Sequence, residues 1–406
     1  MSARTLPFEL RAAERMPRAA RVLFSVLSRL QHGRLEIVGP GGQRFCFPGG
    51  LPGPDARLEL RDWEVCSRIL LAGDIGFAEA YLDGRWVTPD LTALLTLAAV
   101  NRRVLEGAVH GRWWGGLLYR LRHLLRANTR AGSRRNIQAH YDLGNRFYQG
   151  WLDPSMTYSA ALFAGDHSRS LEQAQFAKYE RILARLDARP GERILEIGCG
   201  WGGFAQYAAR TRGCRVHGIT VSSAQLEFAQ QRILLAGLAQ HVSLSLCDYR
   251  DARGRFDHVV SIEMVEAVGL RYWPVYFNTL AQRLAPGGKA ILQAIVIDED
   301  LFERYRRGTD FIQQYVFPGG MLASPAVLER HALSAGLRVR DRYAFGADYA
   351  ETLQRWSHAF DQAWPRLEGG ARDARFKRLW NFYLAYCEAG FRAGTTDVLH
   401  LEMTHA

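Results

Sequence analysis

The clearest chemical signal in the sequence is a glycine-rich run at residues 196–203, between a short apolar stretch and a helical pattern. Glycines at a strand-to-helix turn let the backbone approach a nucleotide-like ligand closely. The spacing GxGxGG, preceded by the acid Glu196, favours S-adenosylmethionine over a dinucleotide, and a purely structural turn is the alternative. An NAD enzyme would carry an acid for the ribose after the second strand, and residues 218–220 contain none. Asp248, just after the third strand, is a suitable acceptor for an adenine amino group.

The elements that would position this run alternate between strands and helices. Short apolar runs occur at 193–198, 215–220, 242–247, 258–262 and 290–296. Helical patterns lie between them, including 224–235 and 272–284. This alternation predicts an α/β fold with a doubly wound parallel sheet and helices on both faces.

The first hundred residues have a different pattern. A helix is expected over 1–30, a small hairpin-rich sheet over 34–60, and further helices around 63–71 and 90–99. We therefore expect three parts: a small N-terminal α+β domain (1–100), a basic amphipathic connector (101–135) and the larger α/β domain with helical insertions (136–406).

The connector region, residues 99–135, carries nine arginines opposed by one acid, Glu106. Tryptophans and leucines are interleaved with them, which is typical of a helix that lies on an anionic lipid surface. A linker helix packed on its own protein, with a solvated basic face, is the second interpretation. Nucleic acid is disfavoured as a partner because no RNA- or DNA-binding fold is visible.

Composition excludes several classes of protein. Of the 406 residues, 48% are hydrophobic, 11% aromatic and 23% charged, which is ordinary for a globular chain and excludes disordered and fibrous ones. The net charge of +11 is compatible with an anionic partner. The six cysteines are scattered without zinc-binding spacing, so we expect no metal site and a reducing, cytoplasmic setting. No run of about 18 apolar residues predicts a membrane span.

Several unusual motifs, in order along the chain, resemble the cyclopropane-fatty-acyl-phospholipid synthase family. They are HYDLGN at 140–145, MTYS at 156–159, the glycine run at 196–203, FPGG at 317–320, and the tail from FGADY at 345–349 to residue 392. The resemblance covers roughly residues 130–400, with a weaker similarity at 73–81. It implies a class I, Rossmann-like methyltransferase domain that transfers the methyl group of S-adenosylmethionine to a cis double bond of a phospholipid acyl chain, forming a cyclopropane.

The resemblance also assigns residues. Those implied to line the cofactor site are Tyr158, Ser159, Glu196, Gly198, Gly200, Gly202, Gly203, Thr220, Ser222, Gln225 and Asp248. In the family a bound bicarbonate ion acts as the base, and Glu266, Tyr349 and the backbone of Ile295 fall on positions that hold it. Gln293 stands where many members have histidine. Cys387 matches a family cysteine with a proposed catalytic role, although its spacing suits a buried helix cysteine equally well.

Two departures bear on the product. Ala160 stands where many bacterial members have a bicarbonate-contacting cysteine, and Gln293 replaces the histidine. The segments around Glu263–Ala267 and Gln293 resemble the plant-type branch, and a glutamine can still donate a hydrogen bond to bicarbonate. Either bicarbonate binds more weakly, or the carbocation resolves by losing another proton to give a methylene or methyl-branched chain.

Two rival functions are also compatible with the sequence. One is methylation without ring closure, and the second is a catalytically decayed lipid-binding protein, which the intact glycine run disfavours. His140 and Tyr141 are either structural or functional, and Trp356 and Trp364 are either core or acyl-tunnel residues. The expected partner is a phospholipid membrane surface with unsaturated acyl chains, reached from the inner, cytoplasmic face. A homodimer is also envisaged.

Overall fold

The computed structural model of the chain describes residues 16–109, 143–367 and 373–406. Its residues form two compact units. The first comprises Met1–Arg122, Gly308–Gln314 and Glu368–Ala393, and the second comprises His123–Arg307, Tyr315–Leu367 and Gly394–Ala406. The expected boundaries near 100 and 135 differ from this division, because two later segments of the chain pack with the N-terminal part.

Helices and strands follow the chain in this order. The α-helices are α1 Arg18–Leu27, α2 Glu64–Leu82, α3 Leu91–Val100, α4 Arg102–Val109, α5 Asn145–Gln149, α6 Leu171–Leu186, α7 Gly203–Arg212, α8 Ser223–Leu235, α9 Trp273–Arg283, α10 Glu299–Tyr305, α11 Phe311–Tyr315, α12 Pro325–Ser334, α13 Gly346–Leu367 and α14 Ala374–Arg392. The strands are β1 His32–Val38, β2 Arg44–Pro48, β3 Leu51–Leu60, β4 Trp86–Val87, β5 Arg193–Ile197, β6 Arg215–Thr220, β7 Val242–Leu246, β8 Phe256–Ile262, β9 Leu284–Ile297, β10 Leu337–Ala344 and β11 Thr396–His405. Short 3-10 turns occupy Tyr249–Asp251, Val265–Ala267 and Leu270–Tyr272.

The first unit contains a four-stranded sheet in the order β2-β1-β3-β4. β1 is antiparallel to β2 and parallel to β3. Phe24 of α1 packs its ring 5.2 Å from that of Phe47 and 6.0 Å from that of Trp63, closing a small apolar core. This is the small α+β part that the N-terminal pattern predicts.

The second unit is built on a seven-stranded sheet in the order β10-β11-β9-β8-β5-β6-β7. The central strands are parallel and β11 runs antiparallel to β9 and β10. Ile194, Leu195 and Ile197 of β5 are at most 1% exposed, as expected for a strand covered by helices on both faces. The five predicted apolar runs are confirmed as β5 to β9, and the fold is the expected doubly wound α/β sheet.

The parallel strands place their carboxyl ends along one edge of the sheet. Ligands of doubly wound proteins bind at this edge, near the strand where the order reverses. The glycine run follows β5, Thr220 ends β6, Asp248 follows β7 and Glu263 follows β8. The topology therefore brings most of the predicted site residues to one edge.

Some sequence-based predictions concern residues that the structure does not describe. The arginine–tryptophan segment lies outside the described residues from position 110 onward, and so do His140 and Tyr141 and the first fifteen residues. Of the helices in the described ranges, none is both long enough and apolar enough to cross a bilayer.

Candidate active site

The glycine run forms a tight turn between β5 and α7. Gly198, Gly200 and Gly202 all have positive φ angles, of 86°, 51° and 80°, which side-chain-bearing residues adopt only with strain. At Gly203 a Cβ atom would come 2.8 Å from the hydroxyl of Tyr179, so the start of α7 is packed too closely for a larger residue. A Cβ at Gly200 would meet no described atom within 4 Å, so this backbone faces open space.

Glu196 lies at the end of β5, directly before the turn. Its side chain is 3% exposed, and its Oε2 has no hydrogen-bond partner among the described residues. Desolvation raises the pKa of Glu196 well above its ordinary value, and the positive charge of Lys178 partly opposes this. A buried carboxylate oxygen without a partner is costly, and a cationic ligand group would relieve that cost. The residues of this turn therefore fit S-adenosylmethionine. Its ammonium group would donate a hydrogen bond to the carboxylate of Glu196.

Several more of the predicted cofactor residues engage each other at the start of α8. Thr220 donates its hydroxyl to the Gln225 Oε1 at 2.9 Å, and the Ser222 hydroxyl accepts from the Gln225 backbone N–H at 3.3 Å. Asp248 accepts from Nε and Nη2 of Arg250 at 2.8 and 2.6 Å. These contacts fix the loops at the sheet edge. The direct cofactor contacts of Thr220, Ser222, Gln225 and Asp248 remain predictions.

Tyr158 and Ser159 lie on a loop that α13 holds in place. Asp348 accepts hydrogen bonds from the backbone N–H groups of Phe163 and Ala164, both at 2.9 Å. Thr352 accepts from the N–H of Ala161 at 3.1 Å. The FGADY motif at 345–349 therefore contributes twice. Its Asp348 fixes this loop, and its last residue is Tyr349.

Five aromatic side chains, which we call the aromatic series, run from the glycine turn to the N-terminal start of α13. The series is Trp201, Tyr148, Tyr158, Trp356 and Tyr349. Successive ring centroids are 5.0, 5.5, 5.2 and 6.2 Å apart. Trp356 is fully buried, and the pyrrole N–H of its ring has no hydrogen-bond partner among the described residues.

A carboxylate that sequence reasoning did not assign lies at the end of this series. Glu263 accepts hydrogen bonds from the hydroxyl of Tyr349 at 2.7 Å, the side-chain amide of Gln293 at 2.7 Å and the backbone N–H of Ala160 at 2.8 Å. Desolvation is the largest effect and leaves the pKa of Glu263 above its ordinary value, although the charge of Lys178 and these three donors partly oppose it. The four favourable partners stabilise the ionised form.

Glu266, three residues further on, has the opposite environment. Its Oε1 accepts from the backbone N–H of Ile295, and its Oε2 has no partner among the described residues. Desolvation, together with the negative charge of Glu263, raises the pKa of Glu266 to about 8. Two neighbouring carboxyl groups in such different surroundings can take different parts in acid–base chemistry.

Lys178 of α6 is the second residue that sequence reasoning missed. It is fully buried and donates to the hydroxyl of Ser159 at 2.7 Å. Desolvation lowers the pKa of Lys178 to about 7, while the charges of Glu263, Asp153 and Glu196 raise it. A lone lysine in a helical pattern gives no local signal of such a position. For Glu263, the signal was its spacing of three from Glu266.

Among the described residues, the donors predicted for bicarbonate are engaged by carboxyl groups. Tyr349 and Gln293 donate to Glu263, and the N–H of Ile295 donates to Glu266. A further anion beside the Glu263 carboxylate would also meet like charge. The residues present therefore do not fit bicarbonate.

Cys387 is a half-buried residue of α14 in the first unit, whereas the carboxyl groups lie in the second.

The raised pKa of Glu266 predicts a pH-dependent stability. The folded state keeps the Glu266 proton up to about pH 8, whereas the unfolded chain loses it near pH 4.5, so this contribution to stability falls as pH rises between the two. Glu266→Gln removes the titration. We expect the variant's free energy of unfolding, relative to the parent, to rise by about 2 kcal/mol between pH 6 and 7.5.

Urea unfolding at both pH values measures this difference. The matched control is Glu227→Gln, which neutralises an exposed glutamate of α8 and should shift the unfolding free energy equally at both pH values. A Glu266→Gln difference that is independent of pH would show that the Glu266 carboxyl titrates normally.

A known family model matches most residues of the second unit. The family model described as "Mycolic acid cyclopropane synthetase" matches residues 128–401. The tuberculostearic acid methyltransferase of Mycobacterium tuberculosis is 40% identical over 342 residues, which cover 82% of this chain and 79% of that protein. The cyclopropane-fatty-acyl-phospholipid synthase of Escherichia coli is 34% identical over 339 residues, covering 83% and 85% respectively.

Solved structures agree with these relatives. The crystal structure of the mycolic acid cyclopropane synthase CmaA1, complexed with SAH and CTAB, superposes with a TM-score of 0.61 at 29% identity. The match covers 66% of this chain and 97% of that one. The similarity confirms the methyltransferase fold that the glycine run and the strand order predict.

Proposed function

This chain belongs to the mycolic acid cyclopropane synthetase family, and we propose that it cyclopropanates cis-unsaturated acyl chains of phospholipids. Family membership makes the protein an S-adenosylmethionine-dependent C-methyltransferase that acts on acyl lipids. The phospholipid, the cis double bond and the ring-closed product are the finer parts of the proposal.

One observation supports this proposed function most directly. The aromatic series connects the proposed cofactor turn, at Trp201, to the carboxylate of Glu263, at Tyr349. A methyl transfer to an alkene creates a carbocation that water would quench, so the reaction needs apolar walls with electron-rich faces and a nearby base. An aromatic wall that ends at a carboxylate supplies both.

The double bond of the acyl chain is a weak nucleophile, so the chain's residues would have to hold both reactants in place. S-adenosylmethionine, when bound, supplies an electrophilic methyl group. The glycine turn and Glu196 would hold it, and the aromatic series would orient the acyl chain and exclude water. Each aromatic face beside the developing cation contributes roughly 2 kcal/mol when desolvated. Proton removal from the added methyl carbon then closes the ring.

A second candidate is methylation without ring closure. The 40% identical relative is named as a tuberculostearic acid methyltransferase, and Ala160 replaces the cysteine of many bacterial members. In this reaction a hydride shift along the acyl chain precedes loss of the methyl proton, which gives a methylene group. The intact glycine turn and the unpartnered oxygen of Glu196 disfavour a decayed lipid-binding protein.

The proposal extends to where the protein works. The arginine–tryptophan segment at 99–135 would bring it to an anionic phospholipid surface, where each basic residue contributes roughly 1 kcal/mol. The acyl-lipid substrate and the scattered cysteines support a peripheral position on the cytoplasmic, inner face of a membrane. The homodimer stays a prediction.

Vesicles and a labelled cofactor test this function. We expect methyl-labelled S-adenosylmethionine to label the acyl chains of dioleoyl phosphatidylglycerol as cyclopropanes, identified by mass spectrometry of the released fatty acids. Diphytanoyl phosphatidylglycerol, which is fluid but has no double bond, is the matched control and should stay unlabelled. A methylene product would select the second candidate. Labelled head groups, or no label in lipid, would contradict the proposal.

A further inference from the structure

Glu263 occupies a strained position at the carboxyl end of β8. Its φ angle is +47°, in the left-handed region that side chains other than those of glycine, asparagine and aspartate rarely adopt. Such strain persists where the surroundings demand it, often at functional sites. The residue as a whole is partly exposed, while its carboxylate oxygens are covered by three hydrogen-bond donors.

The donors to Glu263 are themselves held in place. Gln293 is fully buried on β9, and its Oε1 accepts a hydrogen bond from Nε2 of His400 at 2.8 Å. That contact turns the amide so that its N–H group points to Glu263. Tyr349 lies on α13 and its ring continues the aromatic series. The carboxylate is therefore oriented from three separate elements.

These donors are the ones that the family resemblance assigns to bicarbonate, and here a protein carboxylate takes them. We propose that Glu263 is the general base of the reaction and replaces bicarbonate in this chain. Tyr349 and Gln293 then act as positioning residues that orient its carboxylate, and Lys178 provides the counter-charge. This inference rests on the proposed function, because it assumes a carbocation on an acyl chain.

The proton balance is simple. A carboxylate oxygen of Glu263 takes a proton from the methyl carbon that the acyl chain has gained. The electron pair of that C–H bond forms the third bond of the ring at the cationic carbon, so the product is neutral. The carboxyl group then returns its proton to solvent before the next turnover. No oxidant, reductant or additional ion is needed.

Two substitutions of Glu263 test the assignment. Glu263→Gln keeps the shape and loses the base, so we expect kcat on dioleoyl phosphatidylglycerol vesicles to fall about hundredfold. Glu263→Gly suits the positive φ angle and leaves a space that is bordered by the donors of Ala160, Gln293 and Tyr349. We expect added formate or bicarbonate to restore at least tenfold activity to the glycine variant, but none to the glutamine variant, whose amide fills the space.

The parent enzyme supplies the remaining readouts. Its rate should be unchanged when bicarbonate is removed by degassing and acidification, and calorimetry should give both variants the parent's affinity for S-adenosylmethionine. Full activity of Glu263→Gln, or parent activity that requires bicarbonate, would overturn the assignment. A glycine variant that folds and binds cofactor but is not rescued by either anion would also overturn it. If the parent labels no acyl chain, the proposed function fails instead.

Discussion

Replacing Glu196 by glutamine is expected to weaken S-adenosylmethionine binding about hundredfold. Glu196 is buried at the glycine turn with an unpartnered carboxylate oxygen, so a cationic group of the cofactor would gain a charge-assisted hydrogen bond there. Loss of such a buried contact costs about 3 kcal/mol, which corresponds to that factor. Isothermal titration calorimetry of the folded variant measures it directly.

The raised pKa of Glu196 gives this prediction a second readout. Because burial raises the pKa of Glu196, binding a cation beside it should lower that pKa and release protons in the range where the carboxyl titrates, so the parent's affinity should rise with pH there. Calorimetry in two buffers of different ionisation enthalpy detects that proton. Glu196→Gln should show neither effect, and the exposed Glu227→Gln should show both. Equal affinity of the parent and Glu196→Gln would remove Glu196 from the cofactor site.

Replacing Lys178 by methionine is expected to lower the free energy of unfolding by about 2 kcal/mol. Methionine fills a similar volume, but the partial positive charge that lies near the buried Glu263 and Asp153 disappears. The substitution also removes the hydrogen bond to Ser159, and leaving such a buried polar group unsatisfied costs about 1–3 kcal/mol. Urea unfolding at pH 7 gives the value.

The same substitution at Lys289 is the matched control. Lys289 pairs with Glu402 at 3.4 Å, but its side chain is 34% exposed, so Lys289→Met should cost less than about 1 kcal/mol. Similar losses from the two variants would mean that the charge of Lys178 is not needed by its carboxylate neighbours.

Local patterns were enough to predict the fold of the second unit. Apolar runs bounded by turns predict β5 to β9 because each strand is buried on both faces, and the glycine spacing predicts the cofactor turn because its backbone needs positive φ angles. The family resemblance led to Tyr349 and Gln293. It did not show that both residues would donate to a protein carboxylate.

The rest depends on contacts between residues far apart in the sequence. Glu263 becomes a candidate base only when Ala160, Gln293 and Tyr349 meet around it, and these lie 103, 30 and 86 residues away along the chain. The grouping of 308–314 and 368–393 with the N-terminal unit likewise follows from tertiary packing. No periodicity or motif within a single segment records such contacts.

The fate of the transferred methyl hydrogens tests the central claim, that the protein methylates an acyl chain through a carbocation which ends by losing a proton from the added methyl group. Incubation of the parent protein with dioleoyl phosphatidylglycerol vesicles and trideuteriomethyl S-adenosylmethionine, followed by mass spectrometry of the fatty acids, counts the deuterium that is retained. We predict a cyclopropane chain that keeps two of the three deuterium atoms, because the base removes one. A product that keeps all three, or deuterium found only outside the acyl chains, would contradict this claim.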